Sequence, residues 1–396
     1  MKPIIYNLNN IRPPLTGVGR YSIELIRETL VQRPNIIVAK NGKLHIGNNL
    51  ELQINSFDSV MVEQTAAPNV SRSQRSRNLR AMVGNIPFSR TLFQTLDRYQ
   101  FAQLRKLPMA NGSAYHDLNY SLSPESANNV STVYDLSNVI CPETHPKHRI
   151  DNLNAYFNKL KIGACQIIAI SHSTKSELME HYGIAENRIG VTHLAADKNF
   201  HPRGENECQG SLSARNLNYK KYVLCVGTME PRKNLSTILT AYEALDPQLQ
   251  QEYPLVMAGP FGWKSTELED RINCLHKSGV VRQLGFVQQS ELPTLYAGAA
   301  VFVYPSLYEG FGLPLLEAMQ SGCPCVTSNI GALAEVSAEC ALQVDPRKSD
   351  DVAEQLIRLL SDPKLNLDYA NLGQQRAKSF SWTKTASQTC DIYDSL

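Results

Sequence analysis

Long apolar runs are missing from this chain. Across 396 residues no stretch approaches the roughly 18 consecutive apolar residues that a membrane-crossing helix needs. The opening MKPIIYNLNNIRPP holds too short an apolar segment for a signal peptide. Charge of one sign is missing too: 39 Lys and Arg against 37 Asp and Glu leave a net +2, which argues against bulk nucleic-acid binding. The nine cysteines are odd in number and follow no disulfide or metal-ligand rhythm. Cys323 and Cys325 flank a proline in apolar surroundings and read as strand packing. These absences point to a reducing, cytosolic compartment. No Asp-x-Asp metal pair occurs, and the adjacent aspartates of KSDDVAEQ stand where a helix starts and cap it. A complete G-x-G-x-x-G is lacking as well: after Gly17 and Gly19 the third glycine's place is taken by Ser22.

What is present is a repeating rhythm. The length suits two domains of about 150–200 residues each. In the first half KPIIYNL, VSTVYDLS, CQIIAIS and RIGVTHLA read as short buried strands. RYSIELIRETL, a segment near 147–162 and STKSELMEHYG read as helices, the last capped by Ser173 or Thr174 and ended by Gly183. The polar, aperiodic stretch 201–219 reads as a linker. Beyond it YVLCVGTM, YPLVMAG, VVRQLGF, AVFVYPS and CPCVTS alternate with NLSTILTAYEAL, TELEDRINCLHKSG, ELPTLYAGA, LPLLEAMQSG and DDVAEQLIRLLSD. Strands alternating with helices predict parallel sheets covered on both faces. The fold class is therefore α/β, with two doubly wound, Rossmann-like domains facing each other across a cleft.

One stretch is unusually basic. Between Arg72 and Lys106 there are eight cations, and Asp97 is the only acid. Apolar residues are interleaved, partly at helical spacing. Two readings stand level: solvated amphipathic helices, or a surface for anionic lipid headgroups or a phosphate-bearing lipid acceptor.

The densest chemistry lies in PSLYEGFGLPLLEAMQSG, residues 305–322. Glu309 follows a predicted buried strand and so sits at its C-terminal edge, where open α/β sheets bind ligands. Gly310 and Gly312 allow close backbone approach. Pro314 suits a helix start and Gly322 a helix end. The helix tip near Gly312–Leu313 then offers backbone N–H groups and a positive dipole end to an anion. Glu317, one turn in, is placed to accept from hydroxyls. The fitting ligand has a diphosphate between two sugars. VLCVGTMEPRKNLSTIL puts Arg232 and Lys233 between another strand and helix. Cations there oppose the dipole if they only cap, but neutralise a diphosphate if they bind one. The loop PPLTGVGRY presents Gly17 and Gly19 from the first domain.

With these residues the chain resembles retaining glycosyltransferases of family 4, of GT-B architecture. The E-x7-E motif reads E309-GFGLPLL-E317, the EPRKN element carries Arg232 and Lys233, and TGVGRY is the N-terminal glycine loop. LGFVQQSELPTLYAGAAVFVYPS is similar to the family's base-binding turn and following strand. The resemblance spans nearly the whole chain, is strongest over 222–346, and is closest to bacterial mannosyltransferase-type members that build surface polysaccharides. It implies a domain over 1–205 on the acceptor side, a nucleotide-sugar domain over 206–375, and a last helix, 376–396, crossing back. Arg232 and Lys233 are implied to bind the donor diphosphate, with Gly17 approaching from the other side. Glu309 and the backbone of Gly310, Phe311, Gly312 and Leu313 are implied to hold the donor sugar, Glu317 the ribose, and Phe286 and Val287 the base.

YHDLNYS resembles the segment that brings a histidine to the reacting sugar, which makes His116 a catalytic candidate beside Glu309. TVYDLS departs from the family's His-Asp, since Tyr134 precedes Asp135; Asp135 is the acceptor-side candidate. His145 and His148 read as surface residues or as part of the acceptor side. The implied reaction is retaining and metal-independent, with no cofactor besides the donor. A hexose, mannose from GDP-mannose in the first instance, passes to a glycan or lipid-linked glycan in bacterial polysaccharide or O-antigen synthesis. The protein is expected to be cytoplasmic, with peripheral contact on the membrane's inner face through 72–106 as an option. Rival readings are a UDP-sugar-dependent transferase, a nucleotide-sugar epimerase, and a non-catalytic nucleotide-sugar-binding protein.

Overall fold

The computed structural model of the chain describes residues 2–8, 17–40, 43–46, 112–120, 128–163, 165–261, 266–277 and 279–396. The basic stretch 72–106 lies outside the described residues.

Among the described residues thirteen short strands build two sheets. The first holds β1 (Ile4–Asn7), β2 (Ile36–Lys40), β3 (Lys43–Ile46), β4 (Ala114–Asp117), β5 (Asn129–Val133), β6 (Gln166–Ala169) and β7 (Ile189–Val191), in the order β3-β2-β1-β4-β5-β6-β7. All its pairings are parallel except that of β3, an antiparallel edge strand. The second holds β8 (Val223–Val226), β9 (Leu255–Ala258), β10 (Val281–Gly285), β11 (Val301–Tyr304), β12 (Cys325–Ser328) and β13 (Leu342–Val344), in the order β10-β9-β8-β11-β12-β13, all parallel. Every residue of β8, β9, β11 and β12 is buried, because helices cover both faces; hence β8, β9 and β11 read as nearly unbroken apolar runs, while Thr327 and Ser328 of β12 are buried with their hydroxyls donating to Tyr304 O and Ser306 O. In each sheet the order reverses once, between β1 and β4 and between β8 and β11. That reversal opens a crevice at the strands' C-terminal ends. The two doubly wound sheets expected from the sequence are both present.

Two expectations need correction. The stretch read as a linker contains the helix Glu205–Ser213. Cys208 and Leu212, one turn apart, are buried against the helix Leu292–Gly298. Leu212 packs so closely that a Cβ on Gly298 would meet its Cδ1 at 2.8 Å. Two apolar residues in a polar stretch were too few to show periodicity, yet they suffice once a partner helix is present. The helix His172–Tyr182 is capped by Ser171, whose Oγ accepts from Thr174 N at 3.0 Å, and not by Ser173 or Thr174 themselves. Gly183 ends it in the left-handed region, φ 63°. All nine cysteines are free thiols, and Cys323 and Cys325 are buried in the core as expected. Among the described residues no helix is long and apolar enough to cross a membrane.

The last helix, Trp382–Asp394, returns to the first sheet and lies along the helix Gly17–Gln32. A buried polar chain fastens it. Tyr393 Oη donates to Tyr6 Oη at 2.9 Å, and Tyr6 donates to Thr29 Oγ1 at 3.1 Å. His116 Nδ1 lies 2.6 Å from Tyr393 Oη, and its Nε2 lies 2.8 Å from Thr132 Oγ1. Since Tyr393 gives its proton to Tyr6, it accepts from His116 Nδ1–H; Nε2 then accepts from Thr132.

Candidate active site

The C-terminal edges of β8 and β11 bring a cluster of charges together. After β8, Pro231–Lys233 form a single tight turn ending at Asn234, which is left-handed at φ 60°. That turn aims Arg232 and Lys233 at the loop leaving β11. Glu309 receives both: Arg232 Nη1 reaches its Oε2 at 2.7 Å and Lys233 Nζ its Oε1 at 2.6 Å. Tyr304, the last residue of β11, donates to the same Oε1 at 2.9 Å, and Lys233 Nζ also sits 4.9 Å from the centre of its ring. Arg232 Nη2 is held by Glu230 at 2.7 Å. Two acids thus balance two cations in a nearly dry site. Burial alone would raise the Glu309 carboxyl, but Arg232 and Lys233 outweigh it and hold the group down at about 2. Burial lowers Lys233, opposed by Glu309.

Backbone geometry brings the loop this close. Gly310 lies against the first domain, and a Cβ there would come within 1.7 Å of Tyr134 O. Gly312, at φ 100°, turns the chain into the helix Leu313–Gln320, and no side chain caps that end. Pro314 stands in its first turn as expected, and Gly322 follows its end at φ 70°. Glu317 is buried in this helix. Its Oε2 accepts from Tyr296 at 3.1 Å, and Arg20 Nη1, from the first turn of the helix that Gly17 opens, stands 3.8 Å from its Oε1. Burial pushes the Glu317 carboxyl up to about 7 despite Arg20 and Tyr296. Arg20 and Glu317 thus face each other across the cleft. Phe286, 66% exposed, and buried Val287 follow β10 on the same edge of the sheet.

The other expected residues divide. Asp135 follows β5 beside Gly310; its Oδ1 accepts from Ser137 N at 3.1 Å and from Ser137 Oγ at 2.7 Å. His145 is buried, with Nε2 2.7 Å from that same Ser137 Oγ, so its reading as a surface residue is corrected; His148 is exposed. His116 also needs correction. It is fully buried, both ring nitrogens are engaged, and burial pulls it down to about 3. With no nitrogen presented to the cleft, it serves as a core residue joining the last helix to β4. Sequence reasoning gave no role to Tyr304, Glu230 or Arg20. Tyr304 was readable as the last residue of a buried strand. Arg20 pairs across domains, which no local pattern reveals.

The fold is similar to that of solved structures. It superposes with a TM-score of 0.67 at 13% identity on WaaG, a glycosyltransferase involved in lipopolysaccharide biosynthesis, covering 98% of this chain and 99% of that one. Against Anabaena HepE in complex with UDP and glucose the TM-score is 0.68 at 16% identity, covering all of both chains. The fold is therefore GT-B. Residues 213–376 match the family Glycosyl transferases group 1. The O-antigen chain mannosyltransferase B of Escherichia coli is 34% identical over 397 residues, covering 99% of this chain and 100% of that relative. The chain belongs to the group 1 glycosyltransferases.

Proposed function

We propose that the chain transfers mannose from GDP-mannose, with retention of configuration, to a glycan or lipid-linked glycan of a bacterial O-antigen or related surface polysaccharide. The observation that carries this reading is the cradle of Arg232, Lys233 and Glu309 beside the uncapped tip of the helix Leu313–Gln320. The mannose assignment rests on the named E. coli relative. Arg232 and Lys233 take the donor diphosphate, exchanging part of their pairing with Glu309. Glu309 and the backbone from Gly310 to Leu313, with Phe311 between them, then hold the sugar. Glu317 accepts from the ribose hydroxyls, Phe286 and Val287 receive the base, and Gly17 closes over the phosphates from the first domain. As the bond from sugar to phosphate breaks, negative charge grows on the diphosphate. The two cations and the helix tip are in place to stabilise it, so the step calls for no metal. Asp135, beside Gly310, stands on the acceptor side. The basic stretch 72–106 supplies, on charge alone, contact with anionic headgroups or a phosphate-bearing acceptor.

A thermal-shift panel of GDP-, UDP- and ADP-sugars tests the donor, since a ligand that binds only the folded chain raises the melting temperature by mass action. GDP or GDP-mannose gives the largest shift; a larger one from UDP-glucose overturns the donor assignment. The anomeric configuration of the product, read by NMR, tests retention.

A further inference from the structure

Tyr308 immediately precedes Glu309, yet its hydroxyl points away from the charged cradle. It crosses to the first domain. Leu136 N donates to Tyr308 Oη at 2.7 Å, and Oη donates to Glu177 Oε2 at 2.7 Å. The direction is forced: an amide nitrogen can only donate, so the hydroxyl accepts there and gives its proton to the carboxylate. Glu177 lies on the helix His172–Tyr182, and its other oxygen is held by Ser173 Oγ at 3.1 Å. On the far side of Glu309 the backbone is tied down again. Gly310 O accepts from Thr174 Oγ1 at 3.4 Å, and its Cα lies against Tyr134 O. The residues flanking Glu309 are therefore tied to the first domain, Tyr308 through its hydroxyl and Gly310 through its carbonyl, while the Tyr308 carbonyl and the Glu309 carboxylate are held by Arg232 and Lys233 of the second. The group meant to touch the reacting sugar is suspended between the two.

We infer that Tyr308, with Glu177, is a positioning residue: its hydroxyl, shared between Leu136 N–H and the Glu177 carboxylate, sets where the Glu309 carboxylate stands relative to the acceptor face of the cleft. The inference rests on the reading of Glu309 as the sugar-holding carboxylate. Loss of the hydroxyl removes the tie on the N-terminal side of Glu309, leaves the one through Gly310 in place, and leaves Arg232 and Lys233 on the diphosphate. Donor binding survives and alignment is lost.

Steady-state kinetics of Y308F, E177A and E177Q, below the melting temperature of each, test this. Y308F and E177A are expected to lower kcat by about ten- to a hundredfold, the scale of a small misplacement at a reacting centre, with donor KM and GDP Kd within about twofold of the parent. E177Q keeps a carbonyl acceptor and retains most of kcat. The double variant Y308F/E177A is no worse than Y308F alone, because one bond is broken in both. Unchanged kcat in Y308F, a loss appearing equally in KM, or additive losses in the double variant each overturn the inference. E309Q separates the two claims. If E309Q keeps the parental kcat, the reading of the site falls and this inference with it. If E309Q is dead while Y308F behaves like the parent, only the positioning role falls.

Discussion

At the scale of single residues, two glutamates eight positions apart sit in opposite electrostatic situations. Glu309 is held near a pKa of about 2 by two adjacent cations, while Glu317 is raised to about 7 by burial. The signs of their contributions follow. Glu309 releases its proton more readily folded than unfolded, so its ion pairs stabilise the fold above about pH 4.5, and that stability drains away as pH falls toward 2. Glu317 holds its proton more tightly folded than unfolded, so it destabilises the unliganded fold as pH rises from about 4.5 to 7. Ribose hydroxyls donate, and only the carboxylate accepts fully. GDP is therefore expected to bind more tightly as pH rises through 7, with proton release, and E317Q is expected to lose that dependence. Calorimetry in buffers of different ionisation enthalpy reads both. Removing one charge-assisted contact costs about 1.5–3 kcal/mol, so K233A should weaken GDP binding by roughly ten- to a hundredfold. Isothermal titration measures it, and an unchanged Kd would remove Lys233 from the diphosphate site.

At the scale of elements, the helix Trp382–Asp394 is bound to the first sheet through a buried chain of hydroxyls centred on His116. His116 stays neutral down to about pH 3 when folded but takes a proton near 6.5 when unfolded. Its contribution is present above 6.5 and fades as pH falls toward 3, by about 1.4 kcal/mol per pH unit for one proton. Denaturation followed at several pH values should show this slope, and H116Q should flatten it. Y393F leaves the His116 Nδ1–H buried without its acceptor and is expected to cost about 1–3 kcal/mol of stability, with kcat little changed well below melting. A well-folded H116Q that had lost sugar transfer alone would return His116 to the reaction.

At the scale of the whole molecule, the two domains are sewn together beside the active cleft. Glu335, on the second domain's helix Gly331–Ser337, accepts from the backbone N of His172 at 2.9 Å and of Ser173 at 3.0 Å, and it meets His193 Nε2 at 2.6 Å. One carboxylate thus caps the helix His172–Tyr182 across the domain boundary. E335A should raise amide hydrogen exchange at 172–174 and loosen the seam by about 1–2 kcal/mol, the usual worth of a helix cap. Bound donor should restore part of the protection, since it draws on both sides of the cleft. Exchange unchanged at these amides would show that the seam does not depend on Glu335.

Local pattern determined a great deal here. Alternation of short apolar runs with helical spacing revealed both sheets, because most parallel strands buried on both faces are largely apolar, although β4 and β12 bury polar residues as well. Glycine and proline placement located the helix Leu313–Gln320 and the turn before it, because few residues tolerate φ near 100°. Arg232, Lys233, Glu309 and Glu317, which the proposed function puts on the donor side, stand out in the sequence for the same reason: strand edge, turn and helix tip are consecutive in the chain. Tertiary structure alone decided what spans the domains. A histidine two residues from a loop looks the same in sequence whether it faces a sugar or, like His116, a tyrosine of a helix 277 residues away. The ties of Tyr308 to Leu136 and Glu177, of Arg20 to Glu317 and of Glu335 to His172 likewise join segments far apart in the chain. Hydrogen bonds and ion pairs act over about 3 Å of space whatever the distance along the chain, so only the folded arrangement could reveal them.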